Sequence, residues 1–130
     1  MTNPEKLLAE VRTICLAFPE AEETEKWGKP HFCVREKIFA GCGEENGNLV
    51  LGFKLEMSHA KALVQSPGFR KAPYAGHKGW VSMDATAIGD WKMVAELVEE
   101  SYRLIAPRKL VAMLEATPAS RRPAKPRKKK

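Results

Sequence analysis

At 130 residues, 44% hydrophobic and 29% charged, the chain has the size and make-up of one globular domain that can build a core without disulfide or metal staples. Its three cysteines form no C-x-x-C pair and no apolar run reaches the length of a membrane span, so the sequence argues against a disulfide framework and a transmembrane helix. The net charge of +6 belongs to one end: seven of the 22 Lys and Arg lie in "TPASRRPAKPRKKK" (117–130), leaving fifteen against all sixteen acids, a net of −1, before it.

"NPEKLLAEVRTICLAF" predicts the first helix. Asn3 suits the N-cap and Pro4 the first helical position, where a missing N–H costs nothing. Leu7, Leu8, Val11, Ile14, Cys15 and Phe18 share one face, and Pro19 ends the run. Glu5 and Glu10 break any signal-peptide pattern, so a cytoplasmic location is expected. Glu20, Glu22, Glu23 and Glu25 then make an acidic segment, ending at Trp27-Gly28, that reads as an edge strand. "HFCVREKIFAGC" reads as two short strands around a tight turn near Glu36. Asn46-Gly47 is a hairpin signal, because both residues tolerate φ > 0. "NLVLGFKL" alternates, with Leu49, Leu51, Phe53 and Leu55 on one face and Val50, Gly52 and Lys54 on the other.

Ser58 is expected to cap a short helix, "HAKALVQS", that Pro67-Gly68 terminates. "FRKAPYAGHKG" reads as a loop and "WVSMD" as a short strand. Trp80 is expected to face the core, since large aromatics are mostly buried. Asp90 caps a longer helix, "WKMVAELVEESYRLIA". Pro107 breaks it and starts a last one, "PRKLVAML". The predicted fold class is α+β: an antiparallel sheet of about four to five strands, covered on one face by N- and C-terminal helices. A single domain over 1–115 is followed by a basic tail over 116–130. Its prolines and lack of bulky apolar residues predict disorder.

Three stretches, "LAFPEAEETEKWGKPHFCVREKIFA", "GWVSM" and "ELVEESYRLIA", resemble the YjbR/MmcQ family. They carry in order its "G-x-P-x-F", "K-I-F-A", "G-W-V" and "E-S-Y" elements, over about residues 5–113. The resemblance implies a compact α+β fold similar to CyaY/frataxin, with a double-wing likeness for which members are often called DNA-binding. It implies no catalytic residues and no cofactor.

For a metal, His31 and Cys33 at i, i+2 with Cys42 opposite make one close pair, whereas a structural zinc site takes four ligands in paired spacings. A buried cysteine beside an exposed histidine is the expected outcome, with no metal and no cofactor. The acidic run lacks the glycine-turned loop of a calcium cage and reads as a solvated edge that discourages aggregation. No G-x-S-x-G, P-loop or G-x-G-x-x-G occurs, so nothing in the sequence argues for an enzyme.

The strongest constellation is aromatic and basic: Arg70, Lys71, Tyr74, His77, Lys78 and Trp80, with a smaller set of Lys26, Trp27, Lys29 and His31. Such surfaces hold phosphates by Lys and Arg and bases by aromatic stacking. Arg121, Arg122, Lys125, Arg127 and Lys128 of the tail add charge without specificity. The expected function is a small non-enzymatic protein, with no membrane partner and monomeric, that binds DNA or another polyanion through the 70–80 loop and the tail. The alternative is a small-molecule or protein-partner module whose pocket lies near the 68–80 loop, lined by Tyr74, His77 and Trp80.

Overall fold

The computed structural model describes residues 4–26, 28–45, 47–72 and 78–116. In chain order these form α1 (Pro4–Leu16), β1 (Glu22–Lys26), β2 (Lys29–Val34), β3 (Lys37–Glu45), β4 (Asn48–Lys54), α2 (Met57–Leu63), β5 (Phe69–Lys71), β6 (Trp80–Asp84), α3 (Trp91–Ile105) and α4 (Arg108–Ala116). The class is α+β, as expected. The six strands make one antiparallel sheet in the order β1-β2-β3-β4-β6-β5, rather than four or five. The additional strand is β5, read from sequence as loop because Gly68, Pro73 and the basic residues surround it. Three residues are too few to show an alternation, and pairing with β6 makes the strand.

Two features set the turns. At β2–β3, Arg35 (φ 50) and Glu36 (φ 70) both lie in the left-handed region, as a two-residue hairpin turn that follows the strand twist requires. At β3–β4 the register Glu45↔Asn48 leaves a two-residue connection at 46–47, as the Asn-Gly pair predicts, although Asn46 is outside the described residues. Asp90 caps α3 as expected, accepting from the Lys92 N–H at 3.0 Å. Asn3, the expected cap of α1, is outside the described residues. Ser58 does not cap α2, because the helix already begins at Met57 and the residue before it, Glu56, makes no side-chain cap. Instead the carboxylate of Glu100, arriving from α3, accepts the Glu56 N–H at 2.9 Å and pairs with His59 Nδ1 at 2.7 Å.

Directly paired residues of an antiparallel sheet share a face, so the register fixes both sides. Phe32, Ala40, Cys42, Leu49, Leu51, Phe53, Val81 and Met83 point to the side where α1, α3 and α4 bury Val11, Cys15, Val94, Leu97, Val98, Tyr102, Leu110 and Leu114. The second half of α3 ties this layer together. Between β2 and β3 the register shifts so that Phe39 has no partner on β2. The β3–β4 ladder also stops at Ala40↔Phe53. The hydroxyl of Ser101 enters there, donating to the Phe39 carbonyl at 2.6 Å and accepting from the Lys54 N–H at 2.9 Å. It replaces the missing rung and satisfies two backbone groups that would otherwise lose water without a partner. Consecutive residues Glu100, Ser101 and Tyr102 thus hold α2, the central strands and the Pro19 carbonyl.

Candidate nucleic-acid interface

The other side of the sheet is built by the same alternation. Across the strands one row reads Thr24, His31, Gly41, Gly52, Ser82, Arg70. Beside it lie Lys26 and Lys29 on one flank, and Lys54 paired with Trp80 toward the other. None of these residues belongs to the core cluster. Lys29 and Arg70 are exposed, and Lys26, His31, Lys54 and Trp80 are half-buried. The middle of the row is low: the His31 ring lies against Gly41, 3.0 Å from where a Cβ would stand, and the Lys29 stem lies against Gly43.

The expected site residues divide as follows. Lys26, Lys29 and Arg70 share this open face although Lys26 and Arg70 sit on opposite edge strands, about 24 Å apart across five strand spacings, with Lys29 on β2 beside the first. Lys71 is exposed but pairs with Val81 and so points to the helix side. Lys78 is exposed just before β6. Tyr74, His77, Trp27 and the tail residues Arg121, Arg122, Lys125, Arg127 and Lys128 lie outside the described residues. Trp80 does not face the core. Register places Val81 and Met83, both 0% exposed, on the core side opposite Phe53 and Leu51, and this sends Trp80 to the open face. A smaller side chain takes the interior position because β6 must present alternate residues, and the core reaches it through Val81. Lys54 and Ser82 join the site only through strand register, although the alternation of "NLVLGFKL" sets Lys54 opposite the leucines.

Charge is arranged unevenly. On the helix side, guanidinium groups are engaged by carboxylates: Arg12 with Glu23 at 2.7 and 2.9 Å, and Arg103 with Glu99 at 2.9 Å. Arg35 also holds Glu20 in two contacts, and this pairing keeps the exposed Glu20 carboxyl below its ordinary value. Two acids of the segment 20–25 are thus held in ion pairs at the edge rather than converging on a cation. The lysines of the open face make no ion pair among the described residues.

Cys42 faces the core while His31 and the buried Cys33 lie on the opposite face of the sheet, so the three cannot meet on one metal. No group of three His, Cys, Asp or Glu gathers among the described residues. Burial pushes the Cys42 thiol up to about 12 and raises Cys15 well above its ordinary value, which leaves both protonated and inert near neutral pH. A shallow open depression lies at the β1 edge, lined by Arg12, Glu23, Thr24, Glu25, Gly28 and Pro30. It is at the opposite edge of the sheet from β5. No helix of the described residues is long and apolar enough to cross a membrane.

An open antiparallel sheet with helices on one face is shared with solved structures. A Deinococcus radiodurans protein, DR2400, with a DUF419 domain superposes with a TM-score of 0.71 at 18% identity, covering 88% of this chain and 92% of that one. A Pseudomonas syringae protein solved as a structural-genomics target gives 0.61 at 15% identity, covering 79% and 98%. These likenesses define the fold. The YjbR family model matches residues 16–104, and the chain belongs to that family. No curated protein matches it in sequence.

Proposed function

We propose that this YjbR domain is a non-enzymatic nucleic-acid-binding protein that docks through the open face of its sheet. The observation that carries the reading is the convergence of Lys26, Lys29, Lys54 and Arg70 from both edges and the centre onto the one face that the helices leave uncovered. Half-buried His31 and Trp80 on that face offer rings for stacking. The seven basic residues of 117–130 supply long-range attraction to the same polyanion. The double-wing likeness implied by the family motifs and a cytoplasmic location fit this reading.

The experiment is a salt-dependent titration of the full chain with labelled oligonucleotides. Lys29→Glu/Arg70→Glu is compared with Lys61→Glu/Lys92→Glu, which makes the same charge change at exposed positions on α2 and α3. The face variant is expected to weaken binding about tenfold or more and to lower the slope of log K against log salt by about 2. The helix variant is expected to change both much less. Equal losses in the two variants would show that net charge and the tail alone bind, and the docking face would be wrong.

A further inference from the structure

We propose that Ser82 is the phosphate-contacting hydroxyl of a single-stranded nucleic-acid site, with a backbone phosphate seated over Gly52 between Lys54 and Arg70. This rests on the interface reading above and specifies its ligand. Two polar side chains are buried among the described residues, Ser82 and Ser101. Ser101 has both its hydrogen-bonding roles filled by backbone. Ser82 is only 7% exposed, and its hydroxyl has no hydrogen-bond partner among the described residues. A buried hydroxyl without a partner is costly in the free protein, and an anionic oxygen arriving there would complete its bond.

The position matches an anion. Ser82 lies on the open face, paired directly with Gly52 on one side and Arg70 on the other. Above Gly52 there is room, since a Cβ there would meet only the Val81 carbonyl at 4.0 Å. Lys54 is diagonal to Ser82 across the β4–β6 pair, about 7–8 Å away at the backbone and within reach of its long stem. The carboxylate on this face nearest in sequence, Asp84, is turned to the Thr86 amide and hydroxyl at 3.1 and 3.0 Å. Register therefore sets the hydroxyl, the two basic residues and the open floor at Gly52 side by side on this face.

The breadth of the face selects the strand. Six strands span about 24 Å, whereas the major groove is about 12 Å wide and admits a helix or a two-stranded ribbon. A single strand instead lies flat, with bases splayed toward Trp80 and His31 and phosphates toward the cations.

The test uses the full chain, a labelled single strand and the matching duplex, with Ser82→Ala set beside wild type. Ser82→Ala is expected to weaken single-strand binding on the order of tenfold, the effect of losing a hydrogen bond to a charged group. Its melting temperature is expected to stay level or rise, because an unpartnered hydroxyl is removed. The duplex should bind less tightly and respond less to the substitution. Unchanged single-strand affinity, or weaker binding together with a lower melting temperature, would overturn the assignment. So would tighter binding of the duplex. If Lys29→Glu/Arg70→Glu weakens the strand and Ser82→Ala does not, the subsite falls while the interface stands. If neither weakens it, both fall.

Discussion

Tyr102→Ala is expected to remove about 3–5 kcal/mol of unfolding free energy, the range for deleting a fully buried aromatic ring. For a domain of this size that is a large part of the total, which typically lies at about 5–15 kcal/mol. The ring is 0% exposed. It stacks on Phe18 with centroids 4.9 Å apart and meets Phe39 edge-on at 5.2 Å, while Phe18 and Phe39 meet each other at 5.9 Å. Three segments distant in sequence are thereby joined: the turn after α1, strand β3 and helix α3. The hydroxyl donates to the Pro19 carbonyl at 2.6 Å, and burial pushes its pKa up to about 12. Tyr102→Phe keeps the rings and removes that one bond, so its cost is expected near 1 kcal/mol. Urea unfolding at constant m-value checks both. A loss below about 1 kcal/mol for the alanine variant would contradict the packing described.

Gly79→Ala is expected to cost about 2–4 kcal/mol, because two separate mechanisms act at one atom. The backbone there has φ +94, where an L side chain is strained. An added Cβ would stand 2.3 Å from the Leu55 carbonyl oxygen, a backbone atom that cannot swing aside. Leu55 and Gly79 are also tied by the Leu55 N–H to Gly79 carbonyl bond at 2.9 Å, so relief of the clash breaks a hydrogen bond at the mouth of β6. Gly28 is the control: φ is +75 but nothing lies within 4 Å of the added methyl. Gly28→Ala should therefore cost only the conformational part, about 1–2 kcal/mol. Equal melting temperatures for the two variants would show that the approach to Leu55 does not matter.

Much of this architecture is written in local patterns. The stripe of α3, the alternation of β4 and the Asn46-Gly47 hairpin are each visible because one period or one turn chemistry dominates a long enough window. Strand β5 is not visible, because three residues beside glycine and prolines carry no period and acquire a strand conformation only from β6. Trp80 shows the limit more sharply. Its size argues for burial, yet strand register decides the face, and register is set by Phe53 and Leu51 on a neighbouring strand. The candidate surface was legible only in pieces. Lys26, Lys29 and Arg70 stand out as basic residues near aromatics, but their common face depends on the order of six strands. Arg70 and Lys71, adjacent in sequence, separate to opposite faces because side chains alternate. Ser82 gives no sequence signal at all, since an unpaired hydroxyl is a property of packing.

The most direct measurement of the central claim is a map of backbone amide shifts in the full chain as a single-stranded oligonucleotide is added at low salt. The largest domain changes are expected on the open row, at His31, Gly41, Gly52, Ser82 and Arg70, with Lys29, Lys54 and Trp80 following. Amides along the exposed faces of α1 and α3 should move little. Changes confined to residues 117–130, or spread over the helices and absent from the open row, would contradict it.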